Sequence, residues 1–303
     1  MGNALNPPLR AAVVGGVNMD VGGRPNRPPI LHDSNPGSVS LRPGGVGRNI
    51  AHDLQLLGVQ VSLIAPLGDD MFGRRLLRQC RELGLDMSRA PVLPGERSSV
   101  YLYVSDERGE MALAIADMDI TRRLTPELLE PQLPFLNEQD ALVLDANLEE
   151  ETLLFLSEAV RVPLFADPVS TAKALRLKKL LPRLHLLKPN RLEAEALTGE
   201  AEPEAAAAAL LSAGCERVFV SLGAEGILAA EAGESLRLPC LSLPVVNTNG
   251  AGDAATAALV WAGLRGLDLR QSAEAALLAG ALTAACPEAN APTLSELPAR
   301  LGF

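Results

Sequence analysis

Asn247-Thr248-Asn249-Gly250-Ala251-Gly252-Asp253 is the stretch around which the rest of the chain arranges itself. Upstream, Leu241 to Val246 is extended, β-favouring chain; downstream, Ala254 to Leu264 is almost entirely helix former. A glycine-bracketed turn that opens a long helix aims backbone N–H groups and the positive end of the helix dipole at one point, which suits a phosphate. The two glycines let the backbone approach an anion with no Cβ in the way. Asp253 then places a carboxylate beside that anion hole, where like charge is costly unless the carboxylate has a task. The alternative is a small-residue turn in which Asp253 is simply a helix N-cap.

Outward from this turn, the chain alternates apolar runs with helical stretches. Ala11 to Gly16 is a short apolar run ending in glycines, followed by Asn18 and Asp20. Gly44-Gly45-Val46-Gly47-Arg48-Asn49 leads into a helix with Ile50, Leu54 and Leu57 at helical spacing and Gly58 as its stop. Val59 to Pro66 predicts a strand and Asp69 to Leu83 a helix. Strands are then expected at 141–145, 162–166, 184–187 and 218–221, each followed by a helical stretch. Their unbroken apolar runs indicate burial on both faces, hence a parallel sheet covered by helices on each side. Each of these strands ends in polar residues: Asp145 and Asn147, Asp167, Lys188 and Asn190, Ser221. In such sheets ligands bind at the carboxyl ends of the strands. Asn190 and Glu193 either face one cleft together or form a capping box, and the sequence leaves both open. Ser221-Leu222-Gly223-Ala224-Glu225-Gly226 is a tight turn between two strands. Alanine-rich helices over 271–285 and 294–301 complete the chain.

Two segments interrupt the alternation. Residues 21–43 are rich in Pro, Gly, Asn and Ser, with a turn at Asp33-Ser34-Asn35-Pro36-Gly37 whose side chains can reach a polar ligand. Residues 97–118 contain the hairpin Val100–Val104 and Met111–Ile115 around a polar turn. Together they are expected to build one small β-sheet that covers a site, as a lid on a single domain spanning 1–303.

Bulk properties narrow the classes. A length of 303 residues with 48% hydrophobic content supports a large α/β core. A net charge of −10 argues against nucleic acid as the main partner. No uninterrupted apolar run long enough for a membrane span is present, and Met1 to Arg10 carries no secretory leader pattern. Four dispersed cysteines (Cys80, Cys215, Cys240, Cys286) indicate a reduced, cytoplasmic protein with no disulfide framework or zinc site. His32, His52 and His185 have no metal-ligand spacing and read as structural or surface residues.

Taken in order, the motifs resemble those of the ribokinase-like (PfkB) carbohydrate kinases. They are the N-x-D element (Asn18, Asp20), the glycine loop with its asparagine (Gly44, Gly45, Gly47, Asn49), P-N-x-x-E (Pro189, Asn190, Glu193), S-x-G-x-x-G (Ser221, Gly223, Gly226) and G-A-G-D (Gly250 to Asp253). Within that family, Asp33 to Gly37, Gly44 to Ala51, Ala116 to Ile120, Asp145 to Asn147 and Asp167 to Ser170 resemble the pseudouridine kinases. The resemblance implies a doubly wound, mostly parallel sheet with a β lid, and ATP-dependent transfer of phosphate to a nucleoside or sugar hydroxyl with Mg²⁺. It assigns Asp253 as the base, with Gly250, Ala251 and Gly252 around the transferring phosphoryl group. Asn18, Asp20, Asp33, Gly45, Asn49, Asp145 and Asn147 would bind the substrate. Asn190, Ser221, Gly223, Gly226 and Asn249 would line the nucleotide site, and Glu193 would reach magnesium through water. Asn247 stands where potassium-using relatives have Asp, so monovalent-cation activation is left undecided. Exposed edge strands of the lid point to lid-to-lid pairing into a homodimer.

Three rivals compete with this reading. The first is a kinase of the same fold acting on ribose, adenosine or a sugar phosphate, the last needing a basic residue such as Arg42 or Arg48. The second is a non-catalytic nucleoside-binding protein. A dinucleotide-dependent oxidoreductase fails for lack of a G-x-G-x-x-G after the first strand.

Overall fold

The computed structural model describes residues 8–303; the leader reading of Met1 to Arg10 falls mostly outside them. The strands, in chain order, are β1 (Arg10–Val14), β2 (Asn18–Pro25), β3 (Gly37–Gly44), β4 (Gln60–Ile64), β5 (Leu67–Gly68), β6 (Val92–Leu93), β7 (Val100–Ser105), β8 (Met111–Asp117), β9 (Ala141–Asp145), β10 (Leu164–Asp167), β11 (Leu184–Leu187), β12 (Arg217–Ser221), β13 (Ile227–Glu231) and β14 (Glu234–Leu238). Eight of them form one sheet in the order β14-β13-β12-β11-β10-β9-β1-β4. From β12 to β4 every pairing is parallel, while β13 and β14 close the other edge antiparallel. The expected mostly parallel, doubly wound sheet is therefore present.

The apolar runs explain the two layers. Val13, Val143 and Phe165 point to one face, beneath the helices Val46–Leu56, Ala251–Leu264 and Leu269–Ala284, with fully buried Ile50, Leu54 and Trp261. Val14, Leu142, Leu144 and Val220 point to the other, where Leu153, Leu156, Leu180 and Leu210 cover them. Each such leucine contributes about 2 kcal/mol by leaving water. Some helices begin where a side chain satisfies their first N–H groups. Asp70 accepts from Gly73 N at 2.7 Å, so that helix runs Met71–Glu82. Asp268 and Gln271 cap Leu269–Ala284 reciprocally.

The two interrupting segments share a second sheet, ordered β3-β2-β7-β8. Asn18 pairs with Gly44 at its base, next to the main sheet, and Pro25 with Gly37 at its tip. Asp20, Tyr101 and Ala116 lie side by side on one face, and Val21, Leu102 and Ile115 on the other. One expectation changes: Leu241 to Val246 joins no strand, and Val245 and Val246 are mostly exposed. Pro239 and Pro244 remove ladder donors there, and the N–H groups of Val246 and Asn247 instead donate to the Ala284 carbonyl. Among the described residues no helix is long and apolar enough to cross a membrane.

Candidate active site

The G-A-G-D turn is a helix start of unusual form. Gly250 takes the N-cap position in the left-handed region (φ 81°), and no side chain caps the helix. The N–H groups of Gly252 and Asp253 find no acceptor among the described residues, so they point outward with the helix dipole behind them. Asp253 sits in the first turn and caps nothing, which removes the N-cap alternative. Its Oδ2 instead accepts a 2.6 Å hydrogen bond from Asn49 Nδ2.

Asn49 is buried at the start of the helix that follows the glycine loop. Because a carboxylate only accepts, the amide nitrogen must face Asp253. This leaves Asn49 Oδ1 buried with no partner among the described residues, an acceptor open to a donor from outside the chain. Beside it, Asn18 Nδ2 donates to Asp20 Oδ1 at 2.5 Å, and Gly44 lies so close that a Cβ there would meet Asp20 Oδ2 at 2.4 Å. Burial raises the Asp20 pKa, countered by the Asn18 hydrogen bond and the Arg48 charge.

Asp253 is half-buried, and its surroundings alter its chemistry. Burial first and the charge of Asp167 second push its pKa up to about 7, against the Asn49 hydrogen bond and the charges of Lys188 and Arg48. The free-aspartate value of about 3.9 makes a weak base. A value near 7 matches a general base to neutral pH. Asp167, at the end of β10, is itself tied down: Oδ2 accepts from Thr256 Oγ1 at 2.7 Å and Oδ1 from Val169 N at 2.8 Å.

The remaining residues divide clearly. Asn190 and Glu193 form a full capping box, with Asn190 Oδ1 accepting from Glu193 N at 2.9 Å and Glu193 Oε2 from Asn190 N at 2.8 Å. Glu193 Oε1 makes no hydrogen bond among the described residues, and burial raises the carboxyl's pKa. Ser221 pairs with Asn190 across an isolated bridge, which brings the Gly223–Gly226 turn beside them. Asn249 is exposed at the mouth of the G-A-G-D turn.

Two expected substrate ligands are placed otherwise. Asp145 is fully buried. Its Oδ2 accepts from Gly16 N at 2.7 Å and Gly47 N at 2.8 Å, and its Oδ1 from Asn147 N at 2.9 Å. It shapes the glycine loop, and its complete burial keeps both oxygens away from the cleft. Asp33 lies in the loop beyond the Pro25/Gly37 tip, where its Oδ1 accepts from Ser34 N. Five residues of extended chain separate that tip from Asp20, roughly 16 Å. Asn147 is half-buried and its Oδ1 accepts from Lys173 Nζ at 2.6 Å. Gly45 is half-buried beside the backbone of Gly16 and Val17.

A network that motif reading does not disclose holds this assembly. Buried Arg48 donates to Asn290 Oδ1 at 2.6 Å and to the Pro43 carbonyl. Asn290 Nδ2 donates to Asp53 Oδ1 at 2.8 Å and to the Asn49 carbonyl at 3.1 Å. Arg48 thus has its donors engaged inside the protein. Asn247 Oδ1 accepts from Asn249 N at 3.0 Å, which fixes its amide nitrogen toward the Pro287 carbonyl at 3.1 Å. A donor aimed at that carbonyl does not fit a cation held there.

Residues 9–296 match the pfkB family carbohydrate kinase pattern. The chain belongs to that family. The kinase is 37% identical to the pseudouridine kinase of Escherichia coli (strain K12) over 290 residues, covering 93% of each chain. A putative sugar kinase from Clostridium perfringens superposes with a TM-score of 0.85 at 29% identity, covering 98% of this chain and 96% of that one. Arabidopsis thaliana ribokinase, complexed with ribose and ATP, gives a TM-score of 0.84 at 21% identity over 98% and 99% of the two chains, which speaks to the fold. The kinase is therefore an ATP-dependent phosphotransferase acting on a sugar or nucleoside.

Proposed function

We propose that this kinase phosphorylates the 5′-hydroxyl of pseudouridine, using ATP with Mg²⁺. The observation that carries the substrate assignment is the 37% identity to a pseudouridine kinase across 93% of both chains. Tyr101 supports a base-bearing substrate, because it neighbours Asp20 on the same face of the small sheet, with Tyr103 two residues on. The sugar-phosphate alternative loses Arg48, whose guanidinium is buried and engaged; Arg42 remains exposed.

Asn18, Asp20 and Asn49 hold the sugar hydroxyls, and a site of this kind rejects analogues that leave its polar atoms unpaired. Asp253 orients the attacking hydroxyl and takes its proton as the new O–P bond forms. The free N–H groups of Gly252 and Asp253 donate to the transferring group, as preorganised dipoles do. Ser221, Gly223, Gly226 and Asn249 line the nucleotide side. Among the described residues no three His, Cys, Asp or Glu groups gather into a metal cage. That fits Mg²⁺, which keeps most of its waters and binds through few carboxylates and the phosphates. Glu193, with Asn190, would hold it through water by the free Oε1; the ion supplies charge neutralisation on the phosphates. Closure of the small sheet as a lid would exclude water.

The reduced cysteines fit a cytoplasmic setting. The outer face of the small sheet carries exposed Val39, Leu102, Val104, Leu113 and Ile115, and pairing of this face with a second copy would cover it. Light scattering of wild type and Leu113→Lys tests the dimer, which a monomeric wild type would refute. The activity is tested by ATP consumption with magnesium against pseudouridine, uridine, adenosine, ribose and fructose 6-phosphate. Turnover confined to pseudouridine supports the full assignment. Preference for another acceptor overturns the substrate, and nucleoside binding without turnover overturns the catalytic reading.

A further inference from the structure

Lys188 directly follows β11, and its side chain is 5% exposed. For a buried ammonium it is oddly provided for. The nearest carboxylate oxygen, Asp167 Oδ2, is 3.8 Å away, too far for a hydrogen bond. Both Asp167 oxygens already accept from Thr256 and Val169. Among the described residues Nζ donates to nothing, so what little surface this nearly buried ammonium keeps is left for a partner from outside the chain.

Its direction shows what is missing. A Cβ placed on Gly252 would stand 3.8 Å from Lys188 Nζ. The ammonium therefore reaches the start of the helix Ala251–Leu264, where the N–H groups of Gly252 and Asp253 also lack acceptors. Independent donors from two different elements converge on one point next to the Asp253 carboxylate. An anion with several oxygens would satisfy all of them together, and a phosphoryl group is such an anion.

We propose that Lys188 is a catalytic residue whose ammonium donates to the phosphoryl group in flight. This rests on the kinase reading given above. As the substrate oxygen bonds to phosphorus and the bond from phosphorus to the leaving ADP oxygen breaks, the hydroxyl proton passes to Asp253. Lys188 keeps its proton throughout and stabilises the charge on the non-bridging oxygens.

The test uses full-length Lys188→Met, Lys188→Gln and Lys188→Arg. Steady-state kinetics of Lys188→Met should show kcat at least 100-fold lower, with KM for the nucleoside within threefold of wild type. Calorimetry without acceptor should show ATP binding weakened about tenfold and ADP binding nearly unchanged, because the lost charge faces only the terminal phosphate. Lys188→Arg should recover a tenth or more of wild-type kcat. Should the methionine variant fold poorly, Lys188→Gln answers the same questions. Retention of more than a tenth of kcat by the folded Met or Gln variant, or equal weakening of ATP and ADP, would overturn the role. A wild type that turns over no acceptor refutes the parent reading instead, and the ATP-against-ADP comparison then still decides Lys188.

Discussion

Replacing Asn49 with alanine removes the 2.6 Å hydrogen bond that stabilises ionised Asp253. A hydrogen bond to a charged group is worth about 1.5–3 kcal/mol, and one pKa unit corresponds to about 1.4 kcal/mol. The Asp253 pKa, already pushed up to about 7, should therefore rise by roughly one to two units. With Asp253 as the proposed base, catalysis needs it deprotonated, so activity climbs as pH rises through its pKa. In wild type the acid limb of kcat/KM should fall near pH 7; in Asn49→Ala it should fall between about 8 and 9. The assay is kcat/KM for the nucleoside from pH 5.5 to 9.5, with ATP saturating. On the proposed reading Asn49 also offers Oδ1 to substrate, so the plateau will drop as well, but limb position reports the base of the ATP-bound, nucleoside-free enzyme independently of plateau height. A limb that stays within a few tenths of a unit while the plateau falls would show that Asn49 serves substrate binding alone. A wild-type limb near pH 4 would refute the perturbed base itself.

Further expectations concern single groups. Asp253→Ala should leave nucleoside affinity roughly intact by calorimetry while kcat falls by about 10²–10⁴; more than a tenth of wild-type rate would remove Asp253 from its role. Asp253→Asn should melt higher than wild type at pH 8. Burial, with the charge of Asp167 beside it, favours the neutral form of this carboxylate, so the stability cost grows above about pH 4 and is complete above about pH 7. The advantage should vanish below pH 4 in scanning calorimetry. Glu193→Gln keeps an acceptor for the capping box, so the melting temperature should hold while the Mg²⁺ concentration for half-maximal rate rises severalfold. Gly250→Ala should be insoluble or lose activity, since its Cβ would lie 2.0 Å from the Ala289 carbonyl oxygen at a φ that disfavours side chains. Exchanging K⁺ for Na⁺ should leave the rate unchanged, because the Asn247 amide faces the Pro287 carbonyl.

What the sequence discloses here is what local chemistry decides. The buried parallel strands, the hairpins of the small sheet and the glycine turn before Ala251–Leu264 all follow from runs, breakers and capping residues close together in the chain. The Asn190–Glu193 ambiguity is of the same kind: both capping bonds are made, and only tertiary structure shows that Oε1 has no partner among the described residues. Longer-range facts leave no trace in pattern. Asn290 meets Arg48 across 242 positions, and an asparagine in an Ala/Pro segment signals nothing by itself. Asp145 at a strand end looks like a ligand until the N–H groups of Gly16 and Gly47 are seen to occupy it. Asp33 stands beyond the far tip of the small sheet, a placement that turn composition does not disclose. The pKa of Asp253 depends on Asp167 and on burial, and neither is local.

The Asp145 clamp bears on how such a chain can change. One carboxylate gathers the backbone of Gly16, Gly47 and Asn147, and a Cβ on Gly15 would sit 2.5 Å from its Oδ2, one on Gly47 2.9 Å. No single substitution among Gly15, Gly47 and Asp145 is neutral while the others stay. Enlarging a glycine displaces the carboxylate, and losing the carboxylate strands two buried N–H groups. These positions, spread over 131 residues of chain from 15 to 145, must change together or not at all. On the proposed substrate reading, alterations of preference have an easier route through Tyr101 and Tyr103, which stand on the face of the small sheet that carries Asp20 and take no part in that clamp.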